Sequence, residues 1–426
     1  MRGGVLFLLM ISVAASAAAE SVYTLDQCIR FGLEQSTSAR RARLEEDIAH
    51  TQIGQAGSLA LPHVTLGAGY TRLDEVQTIQ FGDESIPMGT EDNVEATAGV
   101  SQLLYSGGQV GAAWRAAGLL RDAADVARRA TEAALVRDIE VQFYGLLLAG
   151  EAVGVQEASV EQLRAYAAQV EERRRHGAAS EFDELTAKVR LANELPKQIA
   201  ARNRLELARA AFVRLLNHPG GLVVTGSLER ATVELGQEEM EALALARRAE
   251  IHGSDIRLGL GLEAIASARS EGRPKLRAFF NYHGANAYQF VSFDDDWQWH
   301  WNAGLTLDWD VWDGDLTRQT VRQKKFEYEQ LIASDEEVRE VVKLEARQAY
   351  LELVHAREAL EASGESEALA LRALEIARTR HASGLSTYLE FTDANLALST
   401  ARLARLQARH DHAVAVAQAH YVCGLE

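Results

Sequence analysis

Glu390 and Asp393 lie three residues apart, so both point to one side of the segment if it is helical. Repeated around a symmetry axis, that face would form rings of carboxylates, which attract cations and set selectivity at a constriction. The same spacing also suits an ordinary solvated helix face. Other chemistry-bearing groups offer less. Twelve histidines are scattered, and His410 and His412, two apart, face different ways on a helix. No metal spacing is present, there is no G-x-S-x-G, and Gly107-Gly108 has no P-loop lysine after it. An enzyme is not expected, nor is a cofactor, and the four methionines do not suggest a dedicated soft-metal path. Cys28 and Cys423 stand near the two ends, either paired or as two isolated buried thiols.

The elements that would carry these residues occur twice. Pro62 and Tyr70 correspond to Pro274 and Tyr282, and Tyr105-Ser106-Gly107 to Trp312-Asp313-Gly314. Tyr144 likewise matches Tyr350, and Gly177 matches Gly384. A repeat of this length calls for one supersecondary unit used twice. Each half reads as a helix, a strand, a loop, a strand, a long helix, a glycine turn and a returning helix. The first repeat is assigned to 20–219, with strands at about 64–76 and 93–105 and a hairpin tip near 177. The second is assigned to 220–426, with strands at about 275–290 and 297–312 and a tip near 384.

Within the long helices, steps of four and three from Leu135 pass through Ile139, Leu146, Val153, Val160 and Val170. The matching positions of the second half include Val342, Ala346, Leu353 and Leu360. A 3.5-residue repeat sustained in this way predicts coiled-coil packing. A helix from Gly111 to Arg175 would span roughly 100 Å. Prolines are few, and only Pro196 interrupts a helical pattern, where a kink is expected.

The strand segments alternate with period two. In the clearest of them, Trp297, Trp299, Trp301, Ala303, Leu305, Leu307 and Trp309 share one face, and Gln298, His300, Asn302 and Asp308 the other. An apolar outside and polar inside suit a barrel in lipid, with Trp297, Trp299, Trp301 and Trp309 as interface aromatics. A soluble half-buried sheet alternates in the same way. Four strands cannot close a spanning barrel, so copies of the chain would have to pool them. Acidic loops (Asp83, Glu84, Glu91 and Asp92; Asp294-Asp295-Asp296) join the two hairpins.

The N-terminus fits a secretory signal over residues 1–19: Arg2, an apolar run from Val5 to Ile11, and Ala17-Ala18-Ala19 before Glu20. The chain has a formal charge of −17, a sign that disfavours nucleic acid. No later apolar stretch approaches 18 residues, so membrane contact would have to come from strands.

Leu25-Asp26-Gln27-Cys28-Ile29, Ala60-Leu61-Pro62-His63-Val64, Gln102-Leu103-Leu104-Tyr105-Ser106-Gly107-Gly108 and Arg380-His381-Ala382-Ser383-Gly384-Leu385-Ser386 occur in that order. With the duplication and the strands, the chain resembles the TolC family of outer-membrane efflux and type I secretion channels over nearly its whole length. That resemblance implies a mainly α fold with a small β part. Long coiled-coil hairpins would form an α-barrel in the periplasm, and four strands per chain a twelve-stranded outer-membrane barrel of a homotrimer. It implies a periplasmic adaptor and, through it, an inner-membrane pump or ABC exporter as partners, outer-membrane lipid around the strands, and a Gram-negative host. It places Glu390 and Asp393 in the entrance acidic ring, with Glu390 departing from the family's frequent Asp. It places Asp183 in the lock that closes the entrance; its usual Tyr and Arg partners are replaced here by His381 and Ser386. A His381–Asp183 contact would make closure pH-sensitive. Gly177, Gly384, Leu385 and Ser386 are the implied adaptor contacts, although glycine also simply ends helices. Arg173-Arg174-Arg175 would meet an acidic adaptor surface or complement the helix dipole. The competing expectation is a periplasmic coiled-coil scaffold or adaptor without a pore.

Overall fold

Five prolines in 426 residues leave helix free to propagate, and it does so in a computed structural model that describes residues 21–87, 90–286, 297–383 and 385–425. The expected signal over 1–19, the run Asp294-Asp295-Asp296 and Gly384 lie outside the described residues. In chain order the first repeat holds β1 (Ser21–Tyr23), α1 (Leu25–Gln35), α2 (Thr37–Ser58), β2 (His63–Arg72), β3 (Thr78–Phe81), β4 (Glu84–Pro87), β5 (Asp92–Tyr105), α3 (Gln109–Arg175) and α4 (Glu181–Leu216). Then come β6 (Leu222–Val224), α5 (Gln237–Arg247), α6 (Ala249–Glu271), β7 (Lys275–Ala285), β8 (Gln298–Asp308), α7 (Leu316–Ala382) and α8 (Tyr388–Cys423). The duplication is exact in helix length: α3 and α7 each have 67 residues, and α4 and α8 each have 36. Helix α4 runs on across Pro196. No helix among the described residues is long and apolar enough to cross a membrane.

Two compact units divide the chain, and α2, α3 and α7 contribute residues to both. The first holds residues 21–42, 129–248 and 341–425. Its core gathers Leu135, Ile139, Phe143 and Leu146 of α3, Phe212 and Leu216 of α4, Cys28 of α1 and Leu222 of β6. Complete burial of each such aliphatic or aromatic side chain contributes about 1.5–3 kcal/mol. Gly32 sits where any Cβ would meet Ile139 and come within 3.1 Å of Leu216, so α1 depends on a bare backbone there. The heptad positions face inward: Val160, Ala167 and Val170 of α3, and Val342, Ala346, Ala349, Leu353 and Ala356 of α7, are buried. Where the second seam turns polar, at Glu367, Arg405 and Arg402 of α8 supply the counter-charge at 2.6 and 3.5 Å. The N-terminal strand is tied down by parallel pairing of Ser21–Tyr23 with Leu222–Val224. Cys28 and Cys423 are both free and buried, so the pairing left open by the sequence does not form, and burial pushes both thiols up to about 11.

The second unit, residues 43–128 and 249–340, contains the sheet. Its order is β2-β5-β7-β8, every neighbour antiparallel, so the strand pairs of the two repeats meet at β5 and β7. On one face, Leu66, Ala98, Tyr282 and Trp301 form a row, followed by Ala68, Ala96, Gly284 and Trp299. On the other, Thr65, Gly99, Asn281 and Asn302 form a row, followed by Gly67, Thr97, His283 and His300. Two glycines are covered by aromatics from the neighbouring strand, a device that fills the gap a missing side chain leaves. The Trp299 ring occupies the place of a Gly284 side chain, 2.6 Å from its would-be Cβ, and Phe279 does the same for Gly304 at 3.0 Å. Phe279 breaks the alternation of its strand for this reason. Strands are shorter than the sequence suggests: β2 stops at Arg72, β7 at Ala285 and β8 at Asp308. The loop expected after the first strand instead folds into a ribbon of β3 on β4, turning at Gly82 with φ 64°. Both strand exits rest on left-handed backbone: Gly107 and Gly108 in the first repeat, and Gly314 and Asp315 at the equivalent places in the second.

Candidate functional site at the hairpin tips

Both tips of the first unit are built from helix-ending signals. At the first, Gly177 adopts φ 72°, and its N–H and that of Ala178 return to the carbonyls of Arg174 and Arg173. This is a glycine C-terminus, which L side chains adopt at a cost. Ser180 then caps α4. Its hydroxyl accepts from the Asp183 N–H at 3.1 Å, and the Asp183 carboxylate accepts from the Ser180 hydroxyl and N–H at 2.6 and 3.0 Å. These donors hold the Asp183 carboxyl below its usual range. The second tip repeats the device: Thr387 accepts from the Glu390 N–H at 3.4 Å, and its hydroxyl reaches the Glu390 carboxylate at 3.3 Å. Asp183 and Glu390 are therefore equivalent residues of the two repeats, each reaching back to the cap of its own helix. The signature S/T-x-x-D/E, in plain view in the sequence, is that of the capping box, complete at Ser180 and Asp183 and half formed at Thr387 and Glu390.

The residues assigned to entrance closure are placed as follows. Within the chain, Asp183 bonds Ser180, not His381. His381 points Nδ1 at the Ser386 carbonyl, 3.5 Å away, and packs on Phe391 and Tyr388 with ring centres 5.9 and 5.8 Å apart. Within one chain, then, Asp183 is engaged by the cap of α4 and His381 by residues across its own tip. Leu385 is exposed, and its N–H returns to the Arg380 carbonyl at 2.8 Å. The arginine cluster is partly spent inside its own hairpin. Arg174 pairs with the buried Glu184, which Lys188 also reaches at 2.6 Å, and Arg175 pairs with Glu171 and Glu172. Together Arg174 and Lys188 hold the Glu184 carboxyl down to about 2.

Of the residues that join the hairpins, only Asp393 was singled out from the sequence. Arg190 of α4 donates to the hydroxyl of buried Thr392 on α8 and stands 3.8 Å from the Asp393 carboxylate. Tyr166 of α3 stacks on Tyr388 of α8 with planes 2° apart. Burial raises both phenols, Tyr166 to about 12. Tyr388 lies two residues beyond the Arg380–Ser386 tip motif, and its partner 222 positions earlier leaves no local signal. Glu390 and Asp393 are both exposed, Asp393 at 63% of its side chain. Their carboxylates therefore remain available to water and ions.

The sheet of the second unit carries the aromatic residues. Trp299 and Trp301 lie in β8 on the apolar face, Trp297 just before the strand and Trp309 just after it, and all four are exposed. Trp299 stacks on Tyr282 and Trp301 on Phe280, with ring centres 5.2 and 6.1 Å apart. Leu66 (82% exposed), Leu305 and Leu307 extend the same open apolar surface.

A family model described as "Outer membrane efflux protein" matches residues 32–218 and 242–419. No curated protein matches significantly. Among solved structures, a membrane protein from Pseudomonas aeruginosa is 19% identical, with a TM-score of 0.80 over 94% of this chain and 92% of that one. The CmeC outer membrane channel of Campylobacter jejuni is 17% identical, with a TM-score of 0.80 over 94% and 85%. The MtrE outer membrane channel of Neisseria gonorrhoeae, in its open state, is 19% identical, with a TM-score of 0.71 over 94% and 89%. At these identities the likeness is one of fold.

Proposed function

The chain belongs to the outer membrane efflux protein family, and from that premise we propose that it forms, as a homotrimer, the outer-membrane channel of a tripartite efflux or type I secretion system in a Gram-negative bacterium. A periplasmic adaptor and an inner-membrane pump or ABC exporter would deliver cargo to the hairpin tips, and the channel itself would conduct passively.

The observation that carries the reading is the sheet. One chain supplies four strands, with β2 and β8 as edges and one face of exposed Leu, Tyr, Phe and Trp. Unpaired edges are not tolerated in hydrocarbon. Three copies would pair β8 of one with β2 of the next and close a barrel of twelve strands with its apolar face outward. Tryptophans at the strand ends suit the lipid interfaces. In the same trimer, the exposed Glu390 and Asp393 would form carboxylate rings at the periplasmic entrance, and Gly177, Gly384, Leu385 and Ser386 would lie at the tips that meet the adaptor. Entrance closure rests on Arg190, Thr392, Tyr166 and Tyr388 joining the two hairpins of each chain, with Asp183, His381 and Ser386 shaping the ends they join.

Planar-bilayer recording of the purified protein tests this, comparing wild type with the Glu390→Gln, Asp393→Asn double variant. Cation-selective openings in wild type that lose selectivity in the variant are expected. Selectivity unchanged by the variant would move the constriction elsewhere, and a purified protein that never inserts would point to a scaffold without a pore.

A further inference from the structure

The register of β7 on β8 places His283 directly opposite His300, with ring centres 4.9 Å apart and planes tilted by 59°. Seventeen residues separate them in the chain, so no spacing motif exposes the pair. We propose that His283 and His300 form a two-imidazole site for a divalent transition metal ion on the polar face of the sheet.

Distance supports the assignment. A ring bound through nitrogen at about 2.0–2.1 Å has its centre roughly 3.2 Å from the ion. Two such rings at a square or tetrahedral angle stand roughly 4.5–5.2 Å apart, centre to centre. The observed 4.9 Å falls inside that interval, so the two rings already stand at the separation that a shared ion requires.

The backbone at this point is also fixed. On the opposite face, Trp299 fills the space over Gly284, and its ring stacks on Tyr282, so the residues on either side of His283 are both held by the neighbour of His300. One row along the polar face, Asn281 donates to Asn302 at 3.1 Å. A register slip of one residue would break all of these contacts at once and turn the histidines away from each other. Preorganisation of this kind lowers the entropic cost of chelation.

The ligand count stays at two. Glu95, one row along the same face on β5, leans over Gly69, where its carboxylate lies 2.7 Å from the place of a Cβ. Among the described residues, no group of three or more His, Cys, Asp and Glu gathers to hold a metal. Two imidazoles with open positions for water suit Cu2+ best, then Ni2+ and Zn2+, and not Mg2+ or Ca2+. The site would take up an ion reversibly and is not a structural metal of the closed four-ligand kind.

Cu2+ added to the detergent-solubilised full chain and followed by electron paramagnetic resonance tests the proposal without reference to conductance. One tight Cu2+ per chain with two equatorial imidazole nitrogens is expected. His283→Gln and His300→Gln should each reduce the signal to one nitrogen and weaken binding at least about tenfold. His63→Gln, on β2 and outside the pair, should leave both unchanged. A wild-type spectrum with fewer than two imidazoles, or spectra and affinity untouched by both substitutions, overturns the site. If either Gln variant fails to fold, the wild-type nitrogen count and the remaining variant decide.

Discussion

Arg190 of α4 holds its guanidinium 3.8 Å from the Asp393 carboxylate of α8 while donating to Thr392 beside it. A carboxylate expected at the constriction is therefore already shared with a cation from the other hairpin of the same chain. The exposed ion pair contributes under about 1 kcal/mol. The bond from a charged donor to a buried hydroxyl contributes about 1.5–3 kcal/mol. Arg190→Ala should loosen the hairpins and raise the open fraction roughly tenfold or more. Single-channel recordings at fixed voltage would show it, and an open fraction equal to wild type would remove Arg190 from closure.

Tyr166 and Tyr388 face each other across the same junction. Stacked aromatics add about 0.5–1.5 kcal/mol beyond the area they bury. A double-mutant cycle with Tyr166→Ala and Tyr388→Ala, read by urea denaturation, should return a coupling of about 1 kcal/mol. Additive losses would mean that each ring contributes only its own burial.

Glu184 gives the first tip an acid dependence. Its folded carboxyl lies at about 2 against an ordinary 4.5, held down first by Arg174 and then by Lys188. A depressed acid stabilises fully above its unfolded value and progressively loses that contribution as pH falls through the folded one. Hydrogen-exchange protection across 171–190 should therefore differ between wild type and Glu184→Gln at pH 7, and the gap should narrow from pH 4.5 toward 2. A gap independent of pH would place the effect in packing.

Gly284 has no room for a side chain, since Trp299 ring atoms lie 2.6 Å from its would-be Cβ. Gly284→Val should displace the indole and cost about 1–3 kcal/mol through overpacking. The expected sign is a lower yield of folded, heat-resistant protein on unboiled gels. A variant as heat-resistant as wild type would show that the indole has elsewhere to go.

The helices were legible in the sequence because alanine and leucine at 3.5-residue spacing leave little else to form, and the strands because Trp299 through Leu307 alternate without a break. The sheet's order was not: β5 meets β7 only because the two repeats fold together, and alternation says nothing about neighbours. The short β3–β4 ribbon was hidden in a polar, acidic stretch, with Gly82 as its one turn signal. At the tips, Glu390 and Asp393 stood out as charges, yet the capping role of Glu390 lay in the Thr387-x-x-Glu390 spacing. Arg190 stayed silent because an arginine in a helix interior reads as solvated surface until its partner 202 residues away is known.

Equal helices in both repeats also restrict how such a gene can change. Removing one heptad from α3 alone keeps the apolar seam in phase but withdraws the Gly177 tip by about 10 Å. Arg190 and Tyr166 would then slide past Thr392 and Tyr388. Matched deletions in α3, α4, α7 and α8 would keep those partners level, whereas a deletion in one rod alone would break the junction between the hairpins.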